Sequence, residues 1–475
     1  MRVLLLHPPL QVNYNHIDYP ALSSLALWQN AACLKHHGYE IRVLDAFSLS
    51  TSQKTSTKPY FYIGPEKKEF IRELSKESFD VAIIHLDQYL VQYPQKEFLS
   101  GIIAACRKLQ PNAKLILADM HIGGMNYVAY DPARFLESKY APDWLVRFES
   151  EMGLLTLLEA IQDGVSHRID SGKPVDSALL PGPISTFDDS IYEMVDINLY
   201  LDFLTKYTES DDRVNPFKLD GTTIPFKSSR GCCFDCNFCT SHPSGMAKHR
   251  RQWRPLVPEE MESQIDKISR NTRVEKLFVI DEAANIGQDH FSRLLSHCEK
   301  HHLKLEFPNG LRADKLNRKF VERLAEKISL LSLSPESGSK NILSNVIGKK
   351  QTLAEVQRAT LWAYDNKLPT ALHFMIGMPG EKRTDIAKTF AFAQKMFEDY
   401  GAEPWLQFAI PIPGTALFEE CEKQGLLPDE LPIDYNPLFQ GNPMLKNGSV
   451  EVPNGEMKRL KKALEDKVRK KIKSE

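Results

Sequence analysis

The sequence predicts an α/β protein in which a doubly wound parallel sheet precedes a partial, parallel (β/α)6 barrel. The first observation is an alternation of short apolar runs with helical patterns, over residues 1–164 and again over residues 223–425. The second is size, because 475 residues exceed one ordinary domain. Hydrophobic residues make up 42% of the chain, enough for each half to build its own core.

The first half begins with a predicted strand at Arg2–His7 and a helix over residues 23–36 that ends before Gly38. Further strands are predicted at residues 39–44, 80–86, 114–118 and 143–148, with helices over residues 98–109 and up to residue 162. Strands that alternate with helices form parallel sheets, which bind ligands at the carboxyl ends of their strands.

Residues 165–222 lose this alternation and are rich in Ser, Asp, Pro and Gly, which predicts a linker with little regular structure. Its exception is the apolar stretch 197–204, which we expect to dock on a neighbouring domain. Residues 426–475 form a predicted tail with a basic end, for which a solvated amphipathic helix is a better interpretation than a nucleic-acid contact.

The second half carries six strand candidates separated by helical patterns. They lie at residues 223–227, 276–281, 303–307, 330–334, 371–376 and 405–410. In a barrel of this kind the catalytic groups come from the strand ends and the loops that follow them.

Charge and hydropathy exclude several classes of function. The net charge is −2 and the pI is about 6.7, so no global attraction to nucleic acid or to an anionic membrane is expected. There is no apolar run near 18 residues and no signal peptide at the N-terminus, so a cytoplasmic protein is expected.

Half of the eight cysteines lie within eight residues, in a segment with the spacing C-x3-C-x2-C. A disulfide framework spreads its cysteines over a small secreted chain, so this cluster favours a metal site. The spacing selects Cys232, Cys236 and Cys239, with Cys233 as an extra thiol. The remaining cysteines are interpreted as buried free thiols: Cys33, Cys106, Cys298 and Cys421.

Zinc and an iron–sulfur cluster compete for these thiols. Structural zinc takes four ligands, and the chain offers the pair Cys233 and Cys236 with His242 and His249 nearby, but no second cysteine pair. A four-iron cluster bound by three cysteines instead leaves one iron without a protein ligand, and that iron can bind a substrate or cosubstrate.

The residues around the cysteines resemble the signature of the radical S-adenosylmethionine (radical SAM) enzymes, through Arg230-Gly231-Cys232 and Phe238 before Cys239. The resemblance implies a TIM-type partial barrel whose three cysteines bind a [4Fe–4S] cluster. It also implies that the amino and carboxylate groups of S-adenosylmethionine bind the open iron, and that reduction gives a 5′-deoxyadenosyl radical.

Later segments resemble the family's cofactor-binding motifs in the expected order. Asp281 and Glu282 stand where the family contacts the methionine amino group, and Arg312 resembles its carboxylate-facing arginine. Glu336 and Ser337 lie in Ser334-Pro335-Glu336-Ser337-Gly338, which resembles G-x-E-S-G with Ser334 in place of glycine. The turns that begin at Gly377 and at Pro411 resemble G-x-P-G-E and P-x-P-G-T.

The N-terminal half resembles the Rossmann-like domain of the cobalamin-binding subgroup, the class B methyltransferases. His7 and Pro8 follow the first strand as in that subgroup, and Arg147-Phe148-Glu149-Ser150-Glu151 resembles R-G-E-x-E with Phe148 in place of glycine. Asp119-Met120-His121 begins a D-x-H-x-x-G match, but it follows the fourth strand rather than the first. We therefore do not interpret His121 as a cobalt ligand.

The resemblance implies a cobalamin-dependent methyltransferase acting on an unactivated carbon or phosphorus centre of a small molecule or natural-product precursor. One S-adenosylmethionine would methylate cobalamin and another would supply the radical. A reductant such as flavodoxin or ferredoxin would be the protein partner. The alternatives are radical rearrangement, cyclisation or transfer of another group, and, from another class, a zinc or cobalamin sensor.

Overall fold

The computed structural model describes most of the chain, and its residues cluster into two compact units. Residues 1–13, 19–57, 60–87, 90, 96–120, 133–136, 142–164, 174–176, 189–209, 217, 219–245, 251–429 and 442–474 are described. The first unit contains residues 1–215, 219–226 and 254–276, and the second contains 216–218, 227–253 and 277–475.

The strands are numbered in chain order. They are β1 Arg2–His7, β2 Leu10–Asn13, β3 Glu40–Asp45, β4 Gln53–Thr57, β5 Tyr60–Gly64, β6 Val81–His85, β7 Lys114–Ala118, β8 Trp144–Arg147, β9 Pro174–Asp176, β10 Thr223–Phe226, β11 Ser229–Arg230, β12 Arg254–Pro255, β13 Lys276–Val279, β14 Lys304–Glu306, β15 Leu331–Glu336, β16 Thr370–Ile376 and β17 Glu403–Phe408.

The helices are numbered in the same way. They are α1 Ser24–His36, α2 Lys67–Leu74, α3 Lys96–Leu109, α4 Ala133–Leu136, α5 Ser150–Gln162, α6 Ile197–Glu209, α7 Pro258–Ser269, α8 Gln288–Lys300, α9 Arg318–Ala325, α10 Leu353–Asp365, α11 Arg383–Tyr400, α12 Ala416–Lys423 and α13 Asn454–Ser474.

A parallel sheet with the strand order β3-β1-β6-β7-β8-β9 forms the core of the first unit. Every residue of β6 is buried, as expected for a strand covered on both faces. The strands predicted in residues 1–164 match β1, β3, β6, β7 and β8 to within two residues at each end. A small antiparallel sheet, β2-β5-β4, was not predicted.

Asp45, the last residue of β3, fixes helix α1 against the sheet. Its carboxylate accepts hydrogen bonds from Ser24 Oγ at 3.0 Å and from Trp28 Nε1 at 2.9 Å, and the N–H of Phe47 adds a third at 3.0 Å. All four residues are buried, so these bonds form in a medium of low dielectric constant, where a hydrogen bond is stronger than in water.

Helix α6 lies in the segment that was predicted to have little regular structure. Its apolar residues recur at helical spacing, at Tyr200, Phe203, Leu204 and Tyr207, and all four are buried. Phe203 stacks on Phe47 with ring centroids 4.7 Å apart. The expectation that the apolar stretch docks on other structure is therefore confirmed within the first unit.

The turn after β8 contains a strained residue and a buried ion pair. Phe148 has φ of 71°, the left-handed region that glycine adopts without strain. The next residue, Glu149, is paired with Arg254 of β12 through two hydrogen bonds of 2.9 and 2.5 Å. Both side chains are almost completely enclosed, at 0% and 1% exposure.

The strands of the second unit lie in separate short ladders. β15, β16 and β17 form a parallel sheet in that order, and β14 lies beside β13. An isolated bridge joins Leu311 to Leu333. The parallel α/β architecture agrees with the prediction, whereas a continuous six-stranded barrel stays a prediction.

The tail forms the long helix α13, as its basic amphipathic pattern predicted. Met457, Leu464 and Val468 are buried on one face, and Lys467 pairs with Glu398 of α11 at 2.6 Å. No helix among the described residues is long and apolar enough to cross a membrane.

The Glu149–Arg254 pair leads to a prediction about stability. Replacement of Arg254 by Met removes the cation and two hydrogen bonds from the buried carboxylate of Glu149, so we expect a loss of roughly 3–5 kcal/mol in the free energy of unfolding. The double variant with Glu149→Met should recover much of this loss. Chemical denaturation followed by fluorescence measures both effects.

The matched control is the exposed pair Arg273–Asp202 of the same unit, whose side chains are 41% and 51% exposed. Arg273→Met should cost less than about 1 kcal/mol. Equal losses for Arg254→Met and Arg273→Met would contradict the interpretation.

Candidate cofactor site

The cysteine loop of the second unit turns three thiols inward and one outward. Cys232, Cys236 and Cys239 are partly buried, whereas Cys233 is exposed. A tight turn, in which the N–H of Cys239 donates to the carbonyl of Cys236 at 3.0 Å, sets the direction of the last two. Cys233 therefore differs from the other three thiols of the loop in its exposure to solvent.

Burial and the neighbouring thiols both act on the pKa values of the cysteine loop. Burial, together with the neighbouring Cys239 and Cys236, raises the pKa of Cys232 to about 12. Burial likewise raises the pKa of Cys236 to about 11, although the charge of Lys349 acts against the increase. Three thiols in this setting become ligands only when a metal supplies positive charge, because the thiolate is the ligating form.

Among the described residues, the three sulfurs are not gathered as closely as the ligands of a single zinc ion would be. Around one tetrahedral zinc, Zn–S bonds of about 2.3 Å would bring the sulfurs to within ~3.8 Å of one another. Within the described residues, the Sγ atoms of Cys232, Cys236 and Cys239 do not form a group of ligand atoms within 4.8 Å of one another. His242, the zinc candidate, has its Nδ1 within 2.9 Å of Ser244 Oγ. His249, the other, lies outside the described residues.

Asp281 fixes the start of the cysteine loop. Its carboxylate accepts hydrogen bonds from the N–H and Oγ of Ser228, at 2.7 and 2.6 Å, and from Ser229 Oγ at 2.5 Å. Burial raises the pKa of Asp281 to about 6, although the hydrogen bonds from Ser228 and Ser229 act to lower it. Asp281 therefore positions the loop, and its described contacts are with protein groups.

Glu282 continues this support one residue further on. It accepts a hydrogen bond of 3.2 Å from the N–H of Gly231, which has φ of 86° immediately before Cys232. Further along the loop, the N–H of Asn237 donates to the carbonyl of Ile347 at 2.9 Å. The carbonyl of Asn237 accepts from the N–H of Leu417, also at 2.9 Å. The loop is thus tied to several parts of the second unit.

Phe238 points into an apolar cluster rather than into the open side of the loop. It packs, with Cys236, against a group of buried residues. The members of that group are Ile342, Ile347, Met378, Ala409, Leu417, Cys421 and Leu445.

Arg312 lies over the cysteine loop. Its guanidinium carbon is 3.3 Å from the ring centroid of Phe234. Nη2 donates a hydrogen bond to the carbonyl of Lys350 at 2.8 Å and forms an ion pair with the Asp314 carboxylate, also at 2.8 Å. Its Nε is buried without a partner among the described residues. A fixed cation with one free donor can bind a carboxylate.

Lys349 is a site residue that the sequence did not reveal. Its Nζ lies 2.8 Å from Glu336 Oε1 and 2.6 Å from the carbonyl of Ser334. Glu336 has φ of 63°, at an irregularity where β15 shifts register against β16. Backbone strain of this kind is typical of functional sites.

Ser337 and Gly377 belong to turns that the protein itself stabilises. Ser337 Oγ lies 3.1 Å from Thr389 Oγ1 and is fully buried. Gly377 has φ of 90°, and its N–H donates to Glu381 Oε2 at 2.6 Å. Burial raises the pKa of Glu381 to about 7, although the N–H groups of Gly377 and Met378 act to lower it.

His373, on β16, extends the site in a direction that no motif predicted. Its Nε2 lies 2.9 Å from Ser332 Oγ of β15, and its ring packs edge-on against Trp405 of β17. Burial lowers the pKa of His373 to about 4, so the ring is neutral at physiological pH. Three adjacent strands thereby present polar and aromatic groups on one face.

His7 and Pro8, which the resemblance assigned to the cofactor, lie in the first unit. Both are buried at the carboxyl end of β1. His121 and its glycines lie outside the described residues.

Comparison with known proteins gives the class. Residues 226–393 match the Radical SAM superfamily, a segment that contains the three cysteines, Asp281, Glu282, Arg312 and Glu336. Residues 226–393 therefore form a radical SAM domain, of the class that uses a [4Fe–4S] cluster and S-adenosylmethionine.

Its relatives include methyltransferases. The chain is 22% identical over 488 residues to cytidylyl-2-hydroxyethylphosphonate methyltransferase from Streptomyces wedmorensis, covering 95% of this chain and 86% of the relative. Its fold resembles TsrM from Kitasatospora setae, solved with cobalamin and a [4Fe–4S] cluster, with a TM-score of 0.61 at 16% identity, covering 92% and 85% of the two chains. It also resembles the cobalamin-dependent OxsB, with a TM-score of 0.59 at 16% identity, covering 98% of this chain and 61% of OxsB.

The inward and outward thiols lead to a prediction about iron binding. After anaerobic reconstitution, the unmodified chain should contain about four irons, and Cys232→Ala, Cys236→Ala or Cys239→Ala should lose most of them. Cys233→Ala, the matched control, should retain the iron because this thiol faces solvent. Loss of iron in Cys233→Ala with retention in Cys232→Ala would overturn the ligand assignment.

Glu381 leads to a prediction about pH. Because its pKa is raised in the folded chain, to about 7 from an ordinary value of 4.5, the proton binds more tightly to the folded state. Relative to Glu381→Gln, the unmodified chain should lose on the order of 3 kcal/mol of stability as pH rises from 4.5 to 7.

Denaturation of both proteins at several pH values measures this difference, with the exposed Glu422→Gln as a control that should show none. If the unmodified chain instead gained stability relative to Glu381→Gln as the pH rises, Glu381 would be stabilised as a carboxylate.

Proposed function

We propose that this chain is a cobalamin-dependent radical SAM methyltransferase acting on an unactivated centre of a small molecule or natural-product precursor. The observation that carries the proposal is the loop with three inward thiols, Cys232, Cys236 and Cys239, and no nearby fourth thiol except the outward Cys233. Such a donor set fits a [4Fe–4S] cluster with one open iron.

The proposed architecture is a Rossmann-like cobalamin domain at residues 1–164, a linker at 165–222, a partial (β/α)6 barrel at 223–425 and a tail at 426–475. The relatives support it, because TsrM and OxsB are described with cobalamin and the similarity spans both halves of the chain. Cobalamin would bind at the carboxyl ends of the parallel strands, near His7 and Pro8.

The charged residues around the loop would bind S-adenosylmethionine. Arg312 offers a buried Nε–H to the carboxylate, and its contacts with Phe234 and Asp314 keep it in place without the ligand. Glu282 is the nearest candidate for the amino group, since Asp281 is already engaged by Ser228 and Ser229. The proposed cofactor-binding set has four further members. Glu336 and Ser337 would contribute side chains, Gly377 the geometry of its turn and Phe238 apolar packing.

The two cofactors would supply different chemistry: the reduced cluster with S-adenosylmethionine gives a carbon-centred radical, and cobalamin carries the methyl group. The residues of the chain would hold the reactants and exclude water. Neutral His373 and the edge of Trp405 form a wall against which a substrate can lie without electrostatic repulsion.

The proposal also includes an electron donor and a cellular location. A flavodoxin or ferredoxin would supply electrons, because reduction of the cluster needs a donor of low potential. Cytoplasmic localisation and the lack of a nucleic-acid partner follow from composition alone and stay predictions.

The proposal predicts two different products from S-adenosylmethionine. With cluster, cobalamin, reductant and substrate present, S-adenosylhomocysteine and 5′-deoxyadenosine should form in roughly equal amounts, and a labelled methyl group should appear in the product. Cytidylylated phosphonates are the first substrates to test, given the Streptomyces relative. Liquid chromatography with mass spectrometry measures all three.

The alternatives give different results. 5′-Deoxyadenosine without S-adenosylhomocysteine or label transfer would indicate rearrangement, cyclisation or transfer of another group. Zinc in place of iron, with no brown absorbance, would indicate the sensor and would end the radical proposal.

A further inference from the structure

Two buried histidines mark the point where the winding of the first sheet reverses. In the order β3-β1-β6-β7-β8-β9 the chain moves from β1 outward to β3, and then from β6 outward in the other direction. β1 and β6 therefore flank the switch point, where open parallel sheets bind ligands beyond the carboxyl ends of their strands. His7 ends β1 and His85 ends β6.

The register brings the two rings side by side. Leu6 pairs with Ile84 in the parallel ladder, so the next residues, His7 and His85, are adjacent. Their ring centroids are 5.0 Å apart in an edge-to-face arrangement, and both residues are 0% exposed. On its other side His85 pairs in register with Ala118 of β7, which has a small side chain.

Hydrogen bonding fixes the tautomer of His7. Ser23 Oγ donates to the carbonyl of Pro20 at 2.8 Å, so the bond of 2.8 Å between Ser23 Oγ and His7 Nε2 has the imidazole as donor. Nδ1 then carries a lone pair, buried without a hydrogen-bond partner and 3.9 Å from Asp45 Oδ1. Burial lowers the pKa of His7, so the ring is neutral.

His85 has more unused hydrogen-bonding capacity than His7. Both of its ring nitrogens are buried without a hydrogen-bond partner within the described residues. Burial, followed by the neighbouring His7, lowers its pKa well below the ordinary value. A neutral imidazole has one N–H donor and one acceptor, and leaving both unpaired in a protein interior is unfavourable.

The walls around this pair are aromatic. The ring of Phe47 lies 4.7 Å from that of His7, and Phe203 stacks on Phe47 at the same centroid distance. A ligand group that satisfies His85 here has to be flat and apolar on its faces, and has to carry an acceptor on its edge. A nitrogen heteroaromatic ring meets all three requirements.

We infer that His85 donates a hydrogen bond to a ring nitrogen of the base that ends the nucleotide tail of a corrinoid, and thereby selects among corrinoids by their base. His7 is the positioning residue, because its bond to Ser23 fixes the ring against which His85 packs. The inference rests on the proposed cobalamin dependence and adds to it a criterion for which corrinoid is bound.

The test is equilibrium binding, measured by tryptophan fluorescence and visible absorbance, with the full chain and three probes. Cobalamin has a base with ring nitrogens, a cobamide with a p-cresolyl base has none, and cobinamide has no base. The unmodified chain should bind cobalamin at least roughly tenfold more tightly than either of the other two, as expected for one buried hydrogen bond.

Two variants assign the selectivity to His85. His85→Phe keeps a flat ring without the donor and should bind cobalamin and the p-cresolyl cobamide alike, while His85→Gln keeps a donor and should retain part of the preference. His36→Ala, an exposed histidine on α1, is the matched control and should retain the full preference. Circular dichroism checks that each variant folds.

The outcomes are distinguishable. An unmodified chain that binds none of the probes defeats the proposed function itself. A chain that binds all three equally, or a His85→Phe variant that keeps the preference, defeats the inference and leaves the function intact. Nitrogen hyperfine splitting in the cobalt(II) electron paramagnetic resonance spectrum, lost in His85→Phe, would also overturn it, because His85 would then be a cobalt ligand.

Discussion

The buried carboxylate of Asp281 is the constraint on which the second unit depends. It gathers the two residues that open the cysteine loop, and it does so without solvent, where each unpaired group would be costly. Glu282 next to it supports the backbone immediately before Cys232. Two consecutive acidic residues at one strand end therefore fix where the first thiol points. Without them the spacing of the cysteines would define a sequence pattern but not a site.

Two cationic side chains near the thiols are already paired with acidic side chains of the protein. Lys349 is paired with Glu336, and Arg312 with Asp314, so each cation near the loop has an acidic partner. The arrangement avoids buried unpaired charge, yet it leaves Nε of Arg312 available. A cofactor with both an amino and a carboxylate group can enter such a site with little rearrangement of protein charges.

Local pattern was enough for the parallel strands of residues 1–164, but not for the groups that meet through tertiary contacts. The apolar run at Lys114–Ala118 gives the strand bounds directly, because a strand buried on both faces has few polar residues. The strand Gln53–Thr57 is largely polar and pairs antiparallel, so it gave no such signal. Lys349 follows a predicted motif by several residues, and only folding brings it to Glu336. His85 looked like an ordinary strand end, since nothing local indicates that both of its nitrogens lack partners.

Phe148 has a consequence for how relatives of this chain are found. The position requires a backbone with positive φ, which glycine meets without strain, but here the aromatic ring is 7% exposed and lies against the guanidinium of Arg147. Packing of the side chain thus compensates for the strained backbone. A pattern search that demands glycine before the buried glutamate would discard this chain. Searches framed around the dihedral angle and the enclosed carboxylate of Glu149 would keep it, and would bring in other sequences that have made the same exchange.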